Sequence, residues 1–466
     1  MRRNAPLVAL FLFLVIPAVA WCQPQGPKAG PEFQVNTYTT NSQSYPQIGV
    51  SATGTFVMVW HSWGQDGSRE GVFARRYDST GAALDPAEIQ VNAYTTGNQA
   101  YPAVAVGPLG DFVVAWQGEG PGTGTLFGRR FDSSGAPLDA AEFQIDTNTA
   151  RGSYYPAVTM DTSGTFTVVW QTFFDGDEHV FGRRFDSAGG ALDPAAFQVS
   201  PPGSDNSYPA VGSDSSGDFV VVWSSSGYYS YHILARRYDS AGSPLDPGDI
   251  QVESSYAGGF PSLGVAPSGQ FVVAWPGIVR GSSGSYYQII ARRFDSTGAP
   301  LDPEQFAVSV DTAPIHWSPS VGVGPAGDFV VAWQRGDAPY GSSYRTDIVG
   351  RRFTSAGAAI DPVPFQVSTD TATSKYGAGV AVAPSGDFAV VWESYGQDGD
   401  DEGVFAQRFS CPDLDGDGIC DGEDIVVNEP ADGSALDYPA RGTAGPLPVV
   451  SWSPGNYDRF RVTISG

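Results

Sequence analysis

The amino-acid sequence predicts an all-β fold made of seven copies of one four-stranded unit. The observations behind this prediction are evenly spaced tryptophans, strand-like runs bounded by turn residues, and an unusual composition. The 466 residues include 58 glycines and 36 prolines, while 16% are charged and 13% are aromatic. A turn-rich, charge-poor composition is typical of many short strands and disfavours helical bundles, coiled coils and disordered tails.

Seven tryptophans set the repeat. Each one ends an apolar run such as GDFVVAW at residues 110–116, and successive tryptophans are 52 to 59 residues apart. Nearly continuous apolar runs are expected of strands that are covered on both faces. The seven residues are Trp60, Trp116, Trp170, Trp223, Trp275, Trp333 and Trp392.

Each copy carries three further landmarks, and each landmark marks another strand. An aromatic–proline pair precedes the Trp run at Tyr45, Tyr101, Tyr155 and Tyr208, and weakens to Phe260-Pro261, Ser318-Pro319 and Tyr376-Gly377. RRFD-like motifs follow at Arg75, Arg129, Arg183, Arg236, Arg292, Arg351 and Gln407. FQV-like motifs stand at Phe33, Ile89, Phe143, Phe197, Ile250, Phe306 and Phe365. Four strands in slightly more than 50 residues indicate a β-propeller blade.

The order of the motifs predicts how the ring closes. The first FQV, at residues 33–35, comes before any Trp run, and the last copy ends at Phe409 without an FQV of its own. We therefore expect this N-terminal strand to complete the seventh blade, which leaves no unpaired strand edge. The predicted propeller spans residues 32–410.

The arginine pairs of the RRFD motifs are interpreted as scaffold contacts, since they recur in nearly every copy. Adjacent residues of a strand point to opposite faces, so one arginine of each pair should enter a seam between blades. An aspartate of RRFD, or of the LDP that follows it, is the expected partner of the guanidinium group.

The predicted strand order places short, uniform turns on one face and variable connections on the other, which is our candidate binding face. Its aromatic side chains suit sugar rings or a protein partner, and the alternative is that they plug the channel or cover neighbouring loops. They are Trp63, Phe173, Phe174, Tyr228, Tyr229, Tyr231, Tyr286, Tyr287, Trp317, Tyr340 and Tyr344.

The charged and polar residues exclude some functions. The formal net charge is −25, which argues against a nucleic-acid partner. All four histidines are expected in variable loops, where a zinc site would need three or more ligands to converge. The near-identical GQDGSREG and GQDGDDEG segments are either calcium ligands or solvated hairpins. We find no Ser-His-Asp order, GxSxG motif or phosphate-binding loop.

An acidic loop follows the propeller. Residues 413–424 read DLDGDGICDGED, with acids at positions 1, 3, 5, 9 and 12 and glycine at 6, which predicts Ca²⁺ binding. Cys411 and Cys420 flank part of it and could pair. With these flanks the segment resembles a thrombospondin type-3 calcium repeat. The resemblance implies a short rigid spacer, a Cys411–Cys420 link and calcium ligands Asp413, Asp415, Asp417, Asp421 and Asp424.

The ends of the chain suggest export and a further domain. Residues 1–20 read as a secretory signal whose apolar stretch is too short to span a bilayer, and residues 21–31 as a linker that contains Cys22. Residues 425–466 look like the opening strands of a fibronectin type III or immunoglobulin-like domain, which 42 residues cannot complete. The propeller repeats resemble those of secreted, mostly uncharacterised bacterial proteins.

Taken together, these patterns predict a secreted, calcium-binding propeller that acts as a binding or adhesion module for an extracellular glycan or protein. The bacterial periplasm or cell surface is an alternative location. One competing interpretation is an extracellular polysaccharide lyase or hydrolase with carboxylates or histidines at the channel mouth. Another is a structural component of the cell surface.

Overall fold

The computed structural model describes residues 28–410, except 121–124, 147–151, 228–229, 254–258, 282–283, 312 and 337–344. The described residues form 28 β-strands and no helix. Accordingly, none of them belongs to a helix with the length and apolarity needed to cross a membrane. The predicted signal, the calcium loop with its cysteines, and the segment 425–466 lie outside the described residues.

The strands follow one another with the same spacing throughout. They are β1 (Phe33–Gln34), β2 (Gln43–Val50), β3 (Phe56–Trp63), β4 (Glu70–Tyr77), β5 (Ile89–Gln90), β6 (Gln99–Val106), β7 (Phe112–Gly118), β8 (Leu126–Phe131), β9 (Phe143–Gln144), β10 (Ser153–Met160), β11 (Phe166–Phe174), β12 (Asp177–Phe185), β13 (Phe197–Gln198), β14 (Asp205–Ser213), β15 (Phe219–Gly227), β16 (Ser230–Tyr238), β17 (Ile250–Gln251), β18 (Ser262–Val265), β19 (Phe271–Gly281), β20 (Gly284–Phe294), β21 (Phe306–Ala307), β22 (Ile315–Val323), β23 (Phe329–Gly336), β24 (Thr346–Phe353), β25 (Phe365–Gln366), β26 (Lys375–Val382), β27 (Phe388–Tyr395) and β28 (Glu402–Phe409).

These strands form seven antiparallel four-stranded sheets, the blades of a propeller. Blade 1 consists of β2, β3, β4 and β5 in that order, and blades 2 to 6 repeat this pattern. The first strands of neighbouring blades contact one another all the way round, so they line the central axis. The predicted all-β fold with seven four-stranded blades is confirmed.

Ring closure also follows the prediction. The seventh sheet has the order β1-β28-β27-β26, so the N-terminal strand is its outermost member. In its register Phe33 lies opposite Ala406 and Gln34 opposite Phe405. The two ends of the ring are therefore joined by backbone hydrogen bonds within one blade.

The hydrophobic core lies in the seven seams between blades. All seven repeat tryptophans are at most 1% exposed. At the closing seam, Trp60 of blade 1 packs in one cluster with Val391 and Val404 of blade 7. Strands in these seams are covered on both faces, which explains why their sequences are nearly continuous apolar runs.

The arginine pairs lie across the seams, and both arginines of a pair do so. The second one, Arg76, pairs with Asp85 of its own blade at 2.5 Å and donates from Nη1 to the Ser133 carbonyl of blade 2. The first one, Arg75, donates from Nη1 to the Val35 carbonyl of blade 7 at 2.9 Å. The expectation of one arginine per seam is thus corrected to two, which reach in opposite directions.

The ion pair of the second arginine recurs in blades 2 to 6. The LDP aspartate, rather than that of RRFD, accepts the guanidinium group in each case. The equivalent pairs are Arg130–Asp139, Arg184–Asp193, Arg237–Asp246, Arg293–Asp302 and Arg352–Asp361.

Candidate functional site

A β-bulge interrupts the innermost strand of a blade near its start. In β2 the register shifts between Ser44 and Gln47, and five other innermost strands show the same shift. One residue at this place has a positive φ in every blade. These residues are Tyr45 (54°), Tyr101 (53°), Tyr155 (50°), Tyr208 (53°), Phe260 (55°), Ser318 (49°) and Gly377 (60°). A non-glycine residue in this left-handed region costs about 1–2 kcal/mol, and such strain is concentrated at functional sites.

Side chains of the preceding blade hold three of these bulges. The backbone N–H of Tyr45 donates to Glu393 Oε2 at 3.0 Å. In the same way, the N–H of Tyr101 donates to His61 Nδ1 at 3.2 Å, and that of Tyr208 to Gln171 Oε1 at 3.1 Å. Each acceptor directly follows the repeat tryptophan of its blade. The seam therefore satisfies donors that the bulge removes from the strand ladder.

The bulges bring aromatic rings together around the axis. Ring centroids are separated by 4.6 Å for Tyr45 and Tyr101, 5.0 Å for Tyr101 and Tyr155, and 5.5 Å for Tyr155 and Tyr208. The series continues with Phe260, 4.1 Å from Tyr208, and Trp317, 6.4 Å from Phe260. We call Tyr45, Tyr101, Tyr155, Tyr208, Phe260 and Trp317 the aromatic arc.

The arc lies at one mouth of the central channel. Its residues are at the start of the innermost strands, so they share an end of the blades with the hairpins that follow the Trp runs. This is the face predicted to carry the variable connections. Tyr45 is 50% exposed and Phe260 is 45% exposed. Tyr101 lies beside both Tyr45 and Tyr155, and it adds to the effect of burial in raising the pKa of each hydroxyl. The arc thus presents ring faces together with a small cluster of hydroxyls.

Two titratable groups beneath Tyr45 and Tyr101 have shifted pKa values. Burial lowers the pKa of His61 to about 4, so its imidazole is neutral above that pH. Burial, and to a smaller extent the neighbouring Glu402, raises the pKa of Glu393 to about 7, against the opposing effect of the Tyr45 N–H. A carboxyl group that titrates near neutral pH beside a channel mouth is a feature of functional sites.

The predicted loop aromatics are only partly assembled into this site. Tyr287 lies 4.4 Å from Trp317 and so extends the arc at blade 6. Trp63 is 44% exposed at the end of β3, while Phe173 and Phe174 are 56% and 38% exposed at the end of β11, on the hairpins of blades 1 and 3. The remaining predictions are not placed in the site by the structure: Tyr231 and Tyr286 lie within β16 and β20, and Tyr228, Tyr229, Tyr340 and Tyr344 lie outside the described residues.

The histidines are arranged differently from the expectation. They lie in strands β3, β12, β16 and β22, so their predicted placement in variable loops is wrong. His316 is buried and accepts a hydrogen bond at Nδ1 from Trp333 Nε1 at 3.0 Å, which is a structural role. Across the part of the chain that the structure describes, no three His, Cys, Asp or Glu side chains are placed to hold a metal ion.

The two GQDG segments form equivalent hairpins whose first aspartates contact asparagines. Asn92 Nδ2 donates to Asp66 Oδ2 at 2.9 Å in blade 1, and Asn36 Nδ2 approaches Asp398 Oδ2 at 3.4 Å in blade 7. Both asparagines follow an outermost strand, so these contacts tie the hairpin to the edge of its own blade. Their role in the described structure is to fix the connections on this face.

Most of the arc comes from the aromatic–proline motif, which the sequence analysis used only as a landmark of the repeat. The available signal was an aromatic residue before proline in five of the seven copies. In blade 7 the left-handed residue is Gly377, not Tyr376, so the motif there is displaced by one residue from its predicted position.

Fold and site together define a seven-bladed β-propeller with an aromatic arc at one channel mouth. No protein-family model matches the chain, and the search of curated proteins found no relative. Among solved structures, an α-L-arabinanase of Penicillium chrysogenum complexed with arabinobiose is 14% identical over 66% of this chain and 92% of its own, with a TM-score of 0.44.

Two further solved structures are similarly distant. An ulvan lyase with a bound saccharide is 11% identical over 80% of this chain and 95% of its own, with a TM-score of 0.49. A Dyadobacter fermentans protein of unknown function is 12% identical over 71% of this chain and 99% of its own, with a TM-score of 0.43. Likenesses this distant bring no activity or substrate to this chain.

Proposed function

We propose that the protein binds an extracellular glycan through the aromatic arc. The observation that carries this proposal is the continuous series of rings from Tyr45 to Phe260, with neighbouring centroids 4.1 to 5.5 Å apart. The C–H faces of sugar rings pack on aromatic rings, while sugar hydroxyls need polar partners nearby. Tyrosines supply both, because each has an apolar ring and a hydroxyl group.

The arc is built before any ligand arrives. Its rings are mounted on bulged strands whose backbone is held by His61, Gln171 and Glu393 of the preceding blades. Fixing the rings in advance lowers the entropy lost on binding, which raises affinity without new contacts. The variable hairpins on the same face would then surround the ligand and contribute selectivity.

A glycan array followed by titration calorimetry tests the proposal. We expect Tyr101→Asn and Phe260→Asn to weaken binding at least tenfold, since asparagine tolerates the left-handed backbone but removes the ring. The control is Leu109→Ala, because Leu109 is 80% exposed in the turn at the opposite end of blade 2. Unchanged affinity of both arc variants, or loss only with Trp63→Ala, would show that the ligand sits elsewhere.

A second candidate function is favoured by Glu393. It lies on the same face of the blade 7 sheet as Glu402, which is two residue pairs further along the ladder. With a pKa raised to about 7 by burial, Glu393 is suited to donate a proton near neutral pH, as a general acid in polysaccharide cleavage does. Chromatography of incubated polysaccharides tests this: products that form with the natural protein and not with Glu393→Gln would support an enzyme, and binding without any product would exclude one.

The calcium loop and export remain proposals that rest on the sequence. We propose that residues 411–424 bind Ca²⁺ as a short spacer after the propeller of a secreted or cell-surface protein. Limited proteolysis with and without EDTA is the test, and we expect Ca²⁺ to protect this segment. Asp415→Ala combined with Asp417→Ala should remove the protection, and equal cleavage in all samples would refute the site.

A further inference from the structure

The charged groups that act on the arc between blades 1 and 4 are acidic. Burial is the main reason why the pKa of Tyr45 is raised, and Glu393 raises it further. Likewise, Glu178 adds to the effect of burial in raising the pKa of Tyr208. Both glutamates therefore place negative potential at the rings.

Glu178 is connected to the arc through one side chain. Gln171 Nε2 donates to Glu178 Oε1 at 3.0 Å, while Gln171 Oε1 accepts the N–H of Tyr208 at 3.1 Å. Asp205 stands beside Glu178 and accepts its backbone N–H at 3.1 Å. Burial and this second carboxylate raise the pKa of Glu178. A cation in the arc would relieve the repulsion between them.

The arginines of the RRFD motifs are engaged in the seams, whereas Arg69 is exposed on the blade 1 hairpin of the same face. All arginine–ring contacts found among the described residues lie within the RRFD motifs, for example Arg75 over Tyr77. Arg335, on blade 6 near the other end of the arc, pairs with Asp311 at 3.5 Å. The net charge of −25 favours approach of a cation and opposes approach of an anion.

Aromatic faces with carboxylates behind them attract ammonium groups. A cation over a tyrosine ring is attracted by the negative potential of the ring face, and more strongly when it is desolvated. Tyr45 is half exposed, and its backbone N–H donates a hydrogen bond to Glu393. An aromatic ring face and a carboxylate therefore lie together at this position.

We propose that the arc binds an amine-bearing glycan, an oligosaccharide of glucosamine type, with its ammonium groups over the rings of blades 1 to 4 near Glu393 and Glu178. This inference rests on the proposed function and narrows it from glycans in general to cationic ones. A neutral or acidic glycan would bring no positive charge to the carboxylates beside the arc.

The probes for the test are three tetrasaccharides of different charge. The first is an N,N,N-trimethylated chitosan tetramer, whose charge does not depend on pH. The second is the neutral chitin tetramer, and the third is the acidic galacturonate tetramer. Calorimetry at about pH 8 and low salt should show the cationic tetramer binding at least tenfold more tightly than the neutral one. The preference should shrink as salt is added, since exposed charges are screened.

Variants separate local recognition from the general attraction of an acidic protein. Glu393→Gln and Glu178→Gln should each weaken binding of the cationic tetramer about three- to tenfold more than they weaken binding of the neutral one. Glu304→Gln is the matched control, because this exposed glutamate lies between β20 and β21 at the other end of the blade. Tyr101→Asn, which preserves the net charge, should also remove the cationic preference.

The outcomes distinguish the preference for a cationic glycan from the more general proposal that the arc binds a glycan. Equal or tighter binding of the neutral or acidic tetramer would overturn the cationic preference and leave glycan binding standing. A cationic preference that survives Tyr101→Asn and both glutamate variants would likewise overturn it, since the attraction would then be general. No binding of any glycan on the array or among these tetramers would overturn the proposed function itself.

Discussion

Ser318 shows what the left-handed position costs when no ring stands there. Its φ is 49°, whereas blade 7 has glycine, Gly377, at the same place with φ 60°. Glycine adopts this conformation without strain, although it also gains freedom in the unfolded chain. We expect Ser318→Gly to stabilise the protein by about 0.5–1 kcal/mol in urea unfolding.

Ser207→Gly is the control for that substitution. Ser207 immediately precedes a left-handed residue and has ordinary strand geometry, so glycine there should destabilise the fold by about 0.5–1 kcal/mol. Similar losses of stability from Ser318→Gly and Ser207→Gly would mean that the backbone of Ser318 is not strained.

Glu393 should make stability depend on pH. Burial raises its folded pKa from 4.5 to about 7, so the folded state binds its proton more tightly than the unfolded state. The resulting stabilisation is full below about pH 4.5 and is lost as the pH rises through 7. Glu393→Gln keeps an acceptor for the Tyr45 N–H and should be more stable than the natural protein at pH 8, by at most about 3 kcal/mol.

His61 makes the stability depend on pH in the opposite direction. Burial lowers its folded pKa from 6.5 to about 4, so its contribution is present above pH 6.5 and is lost as the pH falls towards 4. Urea unfolding of Glu393→Gln at pH 4.5, 6 and 8 separates the two groups. A stability difference from the natural protein that does not grow with pH would contradict the assignment to Glu393.

At the residue scale, the sequence revealed the repeat but not the strain. Tyr45 and its equivalents were visible as a recurring aromatic–proline pair, yet nothing in residue type distinguishes a left-handed tyrosine from one in a regular strand. The bulge depends on an acceptor such as His61 or Glu393 from another blade, and such a pairing is set by tertiary structure. Because the RRFD arginines recur in nearly every blade, they were correctly interpreted as scaffold residues. The aromatic–proline pair recurs too, so it was interpreted only as a landmark of the repeat and not as part of a candidate site.

At the element scale, the buried Arg76–Asp85 pair fastens the turn after β4 to its own blade and to the next one. Both side chains are only 8% exposed. Removing one partner leaves an uncompensated buried charge, so Asp85→Ala should destabilise the protein by about 3 kcal/mol. Urea unfolding measures this loss, and Arg76→Met added to Asp85→Ala should recover much of it.

Glu304→Ala serves as the control for Asp85→Ala, because Glu304 is an exposed acidic residue. We expect this control to change the stability by no more than about 0.5 kcal/mol. A small loss of stability on Asp85→Ala would show that the Arg76–Asp85 ion pair does not hold the turn as described. The sequence predicted from strand alternation that one arginine of each pair enters a seam, and it left the aspartates of RRFD and LDP as alternative partners. It did not predict that Arg75 also crosses a seam, because its acceptor is a backbone carbonyl that carries no sequence signal.

At the scale of the whole molecule, β1 decides whether the ring is closed. A chain that lacks residues 1–37 loses the outermost strand of blade 7 and exposes the edge of β28. We expect this chain to unfold at markedly lower urea concentration and to aggregate, because an unpaired edge templates association. Size-exclusion chromatography and urea unfolding measure both effects.

A chain lacking only residues 1–27 is the matched control, since it keeps every described strand. If the shorter chain proves insoluble, a synthetic peptide of residues 28–37 added during refolding should restore it. Equal stability of the two truncated chains would show that the strand exchange does not hold the ring. This closure was readable from the sequence, since one FQV preceded all the tryptophans and the last copy had none.

The guanidinium groups that cross the seams find main-chain oxygens on the neighbouring blade, at Ser133 and Val35 for the pair at Arg75 and Arg76. A carbonyl is present whatever side chain stands at that position, so these contacts do not depend on the side chains of the neighbouring blade. Duplication or exchange of a blade therefore preserves these arginine contacts without matching changes in the neighbouring blade. The hairpins of each unit are then free to diverge, and a new specificity can arise by replacing one sector of the ring.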